Sequence, residues 1–270
     1  SKILLPMEPS DYSTPGCDLG EAIVNDVTDP AGWKKTRIYE KNYGVNPEIV
    51  PTSTATVLHS WKTDPAGLVI WWTHGWYESA SDIMTSRYAQ YLDDQYPAFT
   101  FQVSCLNAHP ETPDNLCYSI LKNGGISTIG ATRESWYMPG QANFEASNSR
   151  ISYEFARSFV KDGFNVGSAL TSAKSNVNIE SGWQLSNWMM FCIYGDPALS
   201  VYTSTENTLL LGNIPDQKKY AGEKFEDVDL NSYVFSSAYA SNEINWSVNG
   251  YRELRASIVN GVLSVITPNT

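Results

Sequence analysis

A histidine and a cysteine each follow directly after a short apolar segment in this sequence. His74 follows residues 67–73, which read Gly-Leu-Val-Ile-Trp-Trp-Thr, and Cys105 follows residues 98–104, which read Ala-Phe-Thr-Phe-Gln-Val-Ser. Short apolar segments bounded by turn residues are typical of parallel strands that are covered on both faces. A thiol is a strong nucleophile as the thiolate, and a neighbouring imidazole can accept its proton. The pair therefore predicts nucleophilic catalysis, with Cys105 as the nucleophile and His74 as the base.

The segments that must position these two residues alternate between strands and helices as far as about residue 203. Strands are predicted at 2–7, 35–40, 67–73, 98–104, 125–132 and 190–202. Helices are predicted at 18–27, 81–95, 113–122, 149–162 and 166–175. This alternation predicts an α/β fold, with a mostly parallel sheet and helices on both faces. Ligands bind at the carboxyl ends of the strands in such sheets, so His74 and Cys105 should share one edge.

The sequence pattern changes after Thr203, which indicates a second domain. Turn residues separate the strand-like segments 244–248, 256–259 and 262–266. The dipeptides Asn249-Gly250 and Asn260-Gly261 are typical of hairpins. We therefore predict an α/β domain at 1–205 and a β-sandwich of the immunoglobulin-like or cadherin-like kind at 206–270. Because such a sandwich has roughly 100 residues, we expect its last strands to lie beyond Thr270.

Composition limits the partners that this protein can have. The formal net charge is −11, from 18 basic and 29 acidic residues, which argues against nucleic acid or an anionic membrane surface as a partner. No apolar segment is long enough to span a membrane. Many Asn, Ser, Thr and Tyr residues with few Lys favour an exported protein. The sequence starts directly on a predicted strand and has no signal peptide, so we interpret it as a mature or trimmed fragment.

The remaining cysteines and histidines offer little further chemistry. With Cys105 as nucleophile, the other three cysteines allow one disulfide at most. Cys117 in a predicted helix and Cys192 in a predicted strand are interpreted as small buried hydrophobic residues. His109 lies four residues after Cys105, but no second Cys/His pair is close in sequence, so we interpret it as a loop histidine. His59 has no acidic or thiol neighbour and receives no role.

At these residues the sequence resembles the gingipain family of caspase-like cysteine peptidases, in which a His-Gly pair and then a Cys each follow a hydrophobic strand. Similar segments continue in the family's order at 96–105, 116–121, 125–132, Ser135-Trp136, 167–170, Lys174 and 194–199. The resemblance implies a caspase-like fold and a secreted endopeptidase that cleaves peptides or proteins. It implies no required cofactor, allows calcium as a structural ion and leaves the oligomeric state open. The family also has a subdomain upstream of the catalytic one, which these residues do not include.

The resemblance assigns roles to individual residues. His74 would be the general base and acid, and Cys105 the nucleophile. The backbone N–H groups of Gly75 and Cys105 would bind the oxyanion, and a glycine at 75 would let the backbone approach the substrate closely. Topology, and not the resemblance, suggests one further role: Glu8, at the carboxyl end of the first strand, would orient His74 as a third catalytic member.

The resemblance also implies cleavage after Arg or Lys. Asp18, near the start of the first helix, would pair with the basic side chain, since carboxylates bind guanidinium groups well. Trp136 would line the same pocket and offer a cation–π face. The alternatives are that Asp18 only caps its helix and that Trp136 is a core aromatic residue.

Two other functions compete with this interpretation. The first is an inactive caspase-like scaffold that has an adhesion or binding role through the β-sandwich; an irreversible thiol probe that labels Cys105 would argue against it. The second is an α/β hydrolase with a serine nucleophile. The sequence contains no Gly-x-Ser-x-Gly motif, so the serine hydrolase is disfavoured.

Overall fold

The structure is a computed structural model that describes residues 1–8, 11, 13–139, 147–201, 209–211, 214–220, 223–236, 243–249 and 254–267. The chain divides into two compact units, Ser1–Val201 and Tyr202–Thr270. The predicted domain boundary between residues 205 and 206 falls outside the described residues and stays a prediction. No helix among the described segments has both the length and the apolar character needed to cross a membrane.

A six-stranded sheet forms the centre of the first unit, with the strand order β2-β1-β3-β7-β8-β9. Its strands are β1 (Lys2–Met7), β2 (Lys34–Tyr39), β3 (Leu68–Trp72), β7 (Ala98–Val103), β8 (Gly125–Ala131) and β9 (Phe191–Gly195). The first five run parallel to their neighbours, and β9 runs antiparallel to β8. The carboxyl ends of β1, β3, β7 and β8 therefore meet at one edge, as the sequence predicted.

Seven α-helices and a small antiparallel sheet complete the described part of this unit. The helices are α1 (Cys17–Ile23), α2 (Thr54–Thr63), α3 (Ser86–Ala89), α4 (Leu116–Lys122), α5 (Asn148–Ala156), α6 (Val166–Ser175) and α7 (Gly182–Met190). The small sheet consists of β4 (Gly75–Trp76), β5 (Ser79–Ala80) and β6 (Met84–Thr85). Helices α1 and α5 each continue into a π-helical turn, at Val24–Thr28 and Arg157–Lys161.

Strand β3 shows why the central sheet is apolar on both faces. Its five residues are all buried, and successive side chains point to opposite faces. Leu68, Ile70 and Trp72 join the hydrophobic cluster that contains residues of α1, α5 and α6. Val69 and Trp71 join a second cluster, with residues of α2 and α4. Helices thus cover both faces, which confirms the predicted caspase-like α/β fold class.

Several predictions of helices and strands were wrong. The structure has a helix at Thr54–Thr63, where the sequence analysis placed none, and a helix at Gly182–Met190 just before β9. Both begin with a serine that caps the helix, and Ser181 with Gln184 is a recognisable capping pair. The helix predicted at 81–95 is shorter in the structure: α3 and a 3-10 turn at Gln90–Leu92 cover residues 86–92, and β6 and turns occupy the rest. The last strand ends at Gly195, not at residue 202.

The described part of the second unit contains only small antiparallel sheets. One pairs β10 (Leu209–Leu211) with β12 (Val234–Ser236), and the other contains β11 (Val228–Asp229), β13 (Arg255–Val259) and β14 (Val262–Ile266). The immunoglobulin-like or cadherin-like assignment stays a prediction.

The hairpin signal at Asn260-Gly261 is confirmed. Strands β13 and β14 pair there, and both turn residues have positive φ, 51° and 80°. Gly250 of the other signal lies outside the described residues. The strand predicted at 244–248 was wrong, because these residues form no ladder.

Candidate active site

His74 and Cys105 lie at the same edge of the central sheet, after two neighbouring parallel strands. The last paired residues of β3 and β7 are Trp72 and Val103, and each candidate residue stands two positions further on. The amide of Thr73 donates to the carbonyl of Val103 at 3.2 Å, which continues the contact of the two chains beyond the strands. The predicted placement of an imidazole and a thiol at one edge is therefore what the fold produces.

Both residues line one cavity of about 450 Å³. His74 is exposed, and Cys105 is partly buried. The cavity is lined by Trp72, Thr73, His74, Gly75, Trp76, Ser104, Cys105, Leu106, Glu134, Ser135, Trp136, Tyr137, Pro139 and Asn148. It is large enough for a substrate side chain together with the peptide bond next to it.

Gly75 is in direct backbone contact with Cys105. A Cβ atom at Gly75 would lie 2.8 Å from the Cys105 nitrogen and closer still to the Cys105 carbonyl oxygen. The Ser81 amide donates to the His74 carbonyl, so Gly75 and Ala80 form a pair of the β4–β5 hairpin that exchanges no hydrogen bond. The Gly75 N–H therefore points away from β5. This geometry leaves it available beside the Cys105 N–H as an oxyanion donor.

Ser135 contacts the thiol of Cys105. The Sγ atom lies 3.4 Å from the Ser135 carbonyl oxygen, to which the thiol donates. The Ser135 amide also lies 3.4 Å from Sγ and donates to it, a contact that would stabilise a thiolate.

Leu106, the residue after Cys105, has a φ of +60°, a left-handed conformation that is costly for a bulky side chain. This strain lies in the bend that follows β7 and contains the partly buried Cys105.

Asn107 ties the His74 hairpin to the Cys105 turn. Its side chain is fully buried, and its Nδ2 donates to the carbonyls of Trp76 at 2.6 Å and Ser79 at 2.9 Å. Its Oδ1 accepts from the Ser104 hydroxyl, which in turn accepts from the Trp71 indole N–H at 3.2 Å. One amide side chain therefore fixes the hairpin that carries Gly75 against the turn that carries Cys105.

Replacing Asn107 with alanine is expected to lower the free energy of unfolding by about 1–3 kcal/mol, because two carbonyls lose their buried donor. Urea unfolding monitored by far-UV circular dichroism measures this. Asn178→Ala is the matched control, since Asn178 is exposed and, among the described residues, its side chain bonds only to Glu180, two positions later. Equal stability of the Asn107 and Asn178 variants would contradict the role of this amide.

Trp136 and Tyr137 form the wall of the cavity next to Ser135. Asn187 of α7 holds the backbone of Trp136 by two hydrogen bonds of 2.8 Å, and the Trp136 side chain is 49% exposed. Tyr137 meets His74 edge to face, with 6.3 Å between ring centroids, and donates its hydroxyl proton to Asp11 at 2.9 Å. Trp136 is thus an exposed cavity residue, and the core alternative is wrong.

Asp18 is not among the described residues that line the cavity. It lies in the first turn of α1, where burial raises the pKa of its carboxyl group. Gly16 occupies the N-cap position, and no side chain caps this helix, so the capping alternative for Asp18 is wrong. The assignment of Asp18 to the specificity pocket stays a prediction.

Glu8 follows β1, beside the strand that leads to His74. Its amide donates to the Trp72 carbonyl at 2.9 Å. Burial raises the pKa of its carboxyl to about 7, and the negative charges of Glu40 and Asp82 add to this against an opposing hydrogen bond from Thr52. Like Asp18, Glu8 is not among the described cavity residues. Its orienting role toward His74 stays a prediction.

The raised pKa of Glu8 makes stability depend on pH. The folded protein holds the proton up to about pH 7, whereas the unfolded chain loses it near pH 4.5. This contribution to the free energy of unfolding is present below pH 4.5 and is lost as the pH rises through 7. Solvent screening of this partly buried group reduces it to about 1 kcal/mol. The free energy of unfolding, measured in urea at pH 5 and at pH 8, should differ less in Glu8→Gln than in the wild type. Glu78→Gln, an exposed control, should keep the wild-type difference.

The other thiols and histidines are not described cavity residues. All four cysteines are free, and burial raises the pKa of Cys17 to about 12 and also raises the pKa of Cys117 and Cys192. His109 lies in a loop, as predicted, and contacts Glu111 at 3.3 Å. Within the described ranges, no three His, Cys, Asp or Glu side chains cluster as metal ligands. Among the described cysteines, Cys105 is the one that lines the cavity.

Sequence reasoning missed three residues of this site. Glu134 places an exposed carboxylate in the cavity wall, Ser135 contacts the Cys105 thiol, and Asn107 joins the two loops. Glu134 and Ser135 directly precede Trp136, so their closeness to the site could have been inferred. Asn107 gives no sequence signal, because its partners lie 28 and 31 residues earlier.

Comparisons with known proteins agree with this fold. Residues 10–202 match the family model of peptidase family C25. The chain resembles a crystal structure of the Arg-specific cysteine proteinase gingipain R, with 13% identity, a TM-score of 0.59, and coverage of 100% of this chain and 60% of that chain. It also resembles the complex of the pro- and mature domains of RgpB from Porphyromonas gingivalis, with 12% identity, a TM-score of 0.61, and coverage of 100% and 62%.

A third similar structure is described only as a protease, with 13% identity, a TM-score of 0.51, and coverage of 99% of this chain and 61% of that chain. The chain thus spans about 60% of the length of these three structures. A search of curated protein sequences gave no match. Identities this low establish a shared fold and nothing further.

Proposed function

The chain belongs to peptidase family C25, and on that premise we propose that it hydrolyses peptide bonds as a cysteine endopeptidase. The observation that carries this proposal is the cavity that contains His74, Gly75 and Cys105 together. A base, a nucleophile and two backbone donors are the groups that acyl transfer requires. His74 and Cys105 follow adjacent parallel strands and line the same cavity, which supports the proposal.

Acylation would begin with the thiol of Cys105 attacking the carbonyl carbon of the substrate. His74 takes the thiol proton and passes it to the leaving amine. The N–H groups of Gly75 and Cys105 stabilise the negative oxygen of the tetrahedral intermediate. The C–N bond breaks, and a thioester on Cys105 remains.

Deacylation would use the same groups. His74 takes a proton from water, the hydroxide attacks the thioester carbonyl, and the carboxylate product leaves with the thiol restored. Glu8 would support the cationic form of His74 only once it is ionised. Because the pKa of Glu8 is raised to about 7, such support would grow as the pH rises above neutrality.

We assign the enzyme a preference for Arg or Lys before the cleaved bond. The half-exposed indole of Trp136 can stack on a cation, and Glu134 places a carboxylate in the same cavity. The similar gingipain R structure is that of an Arg-specific enzyme. Asp18, from the family resemblance, and Glu134, from the cavity wall, are the two candidates for the partner of the basic side chain.

A positional library of fluorogenic peptides tests this preference. Arg and Lys substrates should have kcat/KM values at least about tenfold above those of Leu or Asp substrates. This ratio needs a difference in activation free energy of only about 1.4 kcal/mol. Glu134→Gln and Asp18→Asn, measured side by side, identify the partner, since only one of them should erase the preference. A wild-type preference for acidic or apolar residues would contradict the assignment.

The protein would act outside the cell. Its excess of acidic over basic residues and its many Asn, Ser, Thr and Tyr residues support export. Detection of the protein in the medium of its source cells, beside a cytoplasmic marker that stays in the pellet, tests this. Retention of the whole pool with the marker would contradict it.

A further inference from the structure

Trp76 exposes more of its side chain than the other two tryptophans of the cavity. It is 57% exposed, against 49% for Trp136 and 4% for Trp72. All three line the cavity that contains Cys105. A large aromatic side chain at the rim of a cavity is apolar surface that a ligand can cover.

The indole of Trp76 is held in place although it is exposed. The backbone carbonyl of Trp76 accepts a hydrogen bond from Asn107 at 2.6 Å. The indole ring packs on Tyr77, with 4.6 Å between the ring centroids. Tyr77 packs in turn on His109 at 4.5 Å, and its carbonyl accepts from the Leu116 amide at 2.9 Å. The backbone and one side of the indole are thus fixed before any ligand arrives, which lowers the entropy cost of binding.

The chain next to Trp136 and the chain next to Trp76 pack against opposite faces of the sheet. Tyr137, next to Trp136, packs on the hydrophobic cluster that contains residues of α1 and α5. Leu116, which contacts the chain next to Trp76, belongs to the cluster on the other face. Neighbouring side chains of an extended peptide point to opposite sides. A substrate residue at Trp136 would therefore direct the side chain of its neighbour toward Trp76.

We propose that Trp76 forms a second substrate subsite, which binds an aromatic or large aliphatic side chain directly adjacent to the residue held at Trp136. The proposal rests on the proposed peptidase function and adds a specificity-determining residue to it. An apolar side chain covers the open indole surface, whereas alanine at that position leaves it in water.

Binding to the Cys105→Ala protein tests this without turnover. Pairs of arginine-containing peptides carry Trp or Ala at the position before or after the arginine, and calorimetry measures their Kd values. The Trp peptide should bind at least about fivefold tighter at one of the two positions. Adding Trp76→Ala should reduce that ratio below about twofold, and Trp76→Phe should keep most of it. Tyr91→Ala, an exposed aromatic residue outside the described lining, is the matched control.

Equal Kd values for Trp and Ala peptides at both positions would overturn the proposal. So would absence of peptide binding, or a preference that survives Trp76→Ala. Failure of the peptidase function gives a different result: the protein with Cys105 intact would cleave no peptide, while the Trp76-dependent binding preference persists.

Discussion

Replacing Cys105 with alanine is expected to abolish peptide hydrolysis, lowering kcat by at least about 10⁴-fold. Without the thiol no thioester forms, and the oxyanion donors alone give only weak catalysis. The other three thiols are not among the described cavity residues, and burial raises the pKa of each, which disfavours the thiolate. Initial rates with the best fluorogenic peptide, together with far-UV circular dichroism of both proteins, measure the effect on a folded enzyme.

Cys192→Ala is the matched control, because Cys192 is free and partly buried in β9. It should keep the wild-type kcat. An irreversible thiol reagent should label the wild type and the Cys192 variant but not the Cys105 variant. Turnover by the Cys105 variant would exclude the thioester mechanism. A wild type that neither cleaves peptides nor is labelled at Cys105 would favour the inactive scaffold with a binding role.

Gly75→Ala should lower kcat by about 10²–10³-fold, the loss typical when one oxyanion donor is removed. The added Cβ would lie 2.8 Å from both the Cys105 nitrogen and the Ser104 Cβ, so the two loops must move apart. Both proposed oxyanion donors belong to these loops, and separation would misplace them together. Because the proposed contacts with substrate side chains lie elsewhere in the cavity, KM should change less than kcat. Steady-state kinetics with one basic peptide measures both values.

Gly182→Ala is the control for this substitution. Gly182 begins α7, and a Cβ there meets no atom within 4 Å. That variant should keep full activity and gain about 0.5–1 kcal/mol of stability, because alanine loses less backbone entropy in a helix. If Gly75→Ala keeps the wild-type kcat while remaining folded, Gly75 is not an oxyanion donor.

The sequence alone was sufficient to predict the strands that position the site. Strands β3 and β7 are short apolar segments that are buried on both faces, and such segments are recognisable without a structure. Their parallel direction follows from the helices between strands, and it places His74 and Cys105 at one edge. The order of motifs also indicated the peptidase family that the family model identifies over residues 10–202.

Local sequence was less informative where tertiary contacts override propensity. Helix α2 is rich in threonine and contains valine, which are poor helix formers, yet burial of Val57 and Trp61 against the sheet stabilises it. The segment 81–95 was predicted to be one helix, but it is helical only at 86–92, because Met84 and Thr85 pair with β5. Propensity is a weak signal beside the burial of a side chain in a core.

The walls of the cavity were decided by tertiary structure. Glu134 and Trp136 reach it because Asn187, some fifty residues later, fixes the backbone of Trp136. Asn107 joins two loops that the sequence separates, and no local pattern predicts which buried carbonyls an amide will satisfy. The sequence determined which residues stand at the strand ends, since period and polarity are local properties. Only the folded chain decided which side chains surround them, because hydrogen bonds and packing across the edge depend on where distant segments lie.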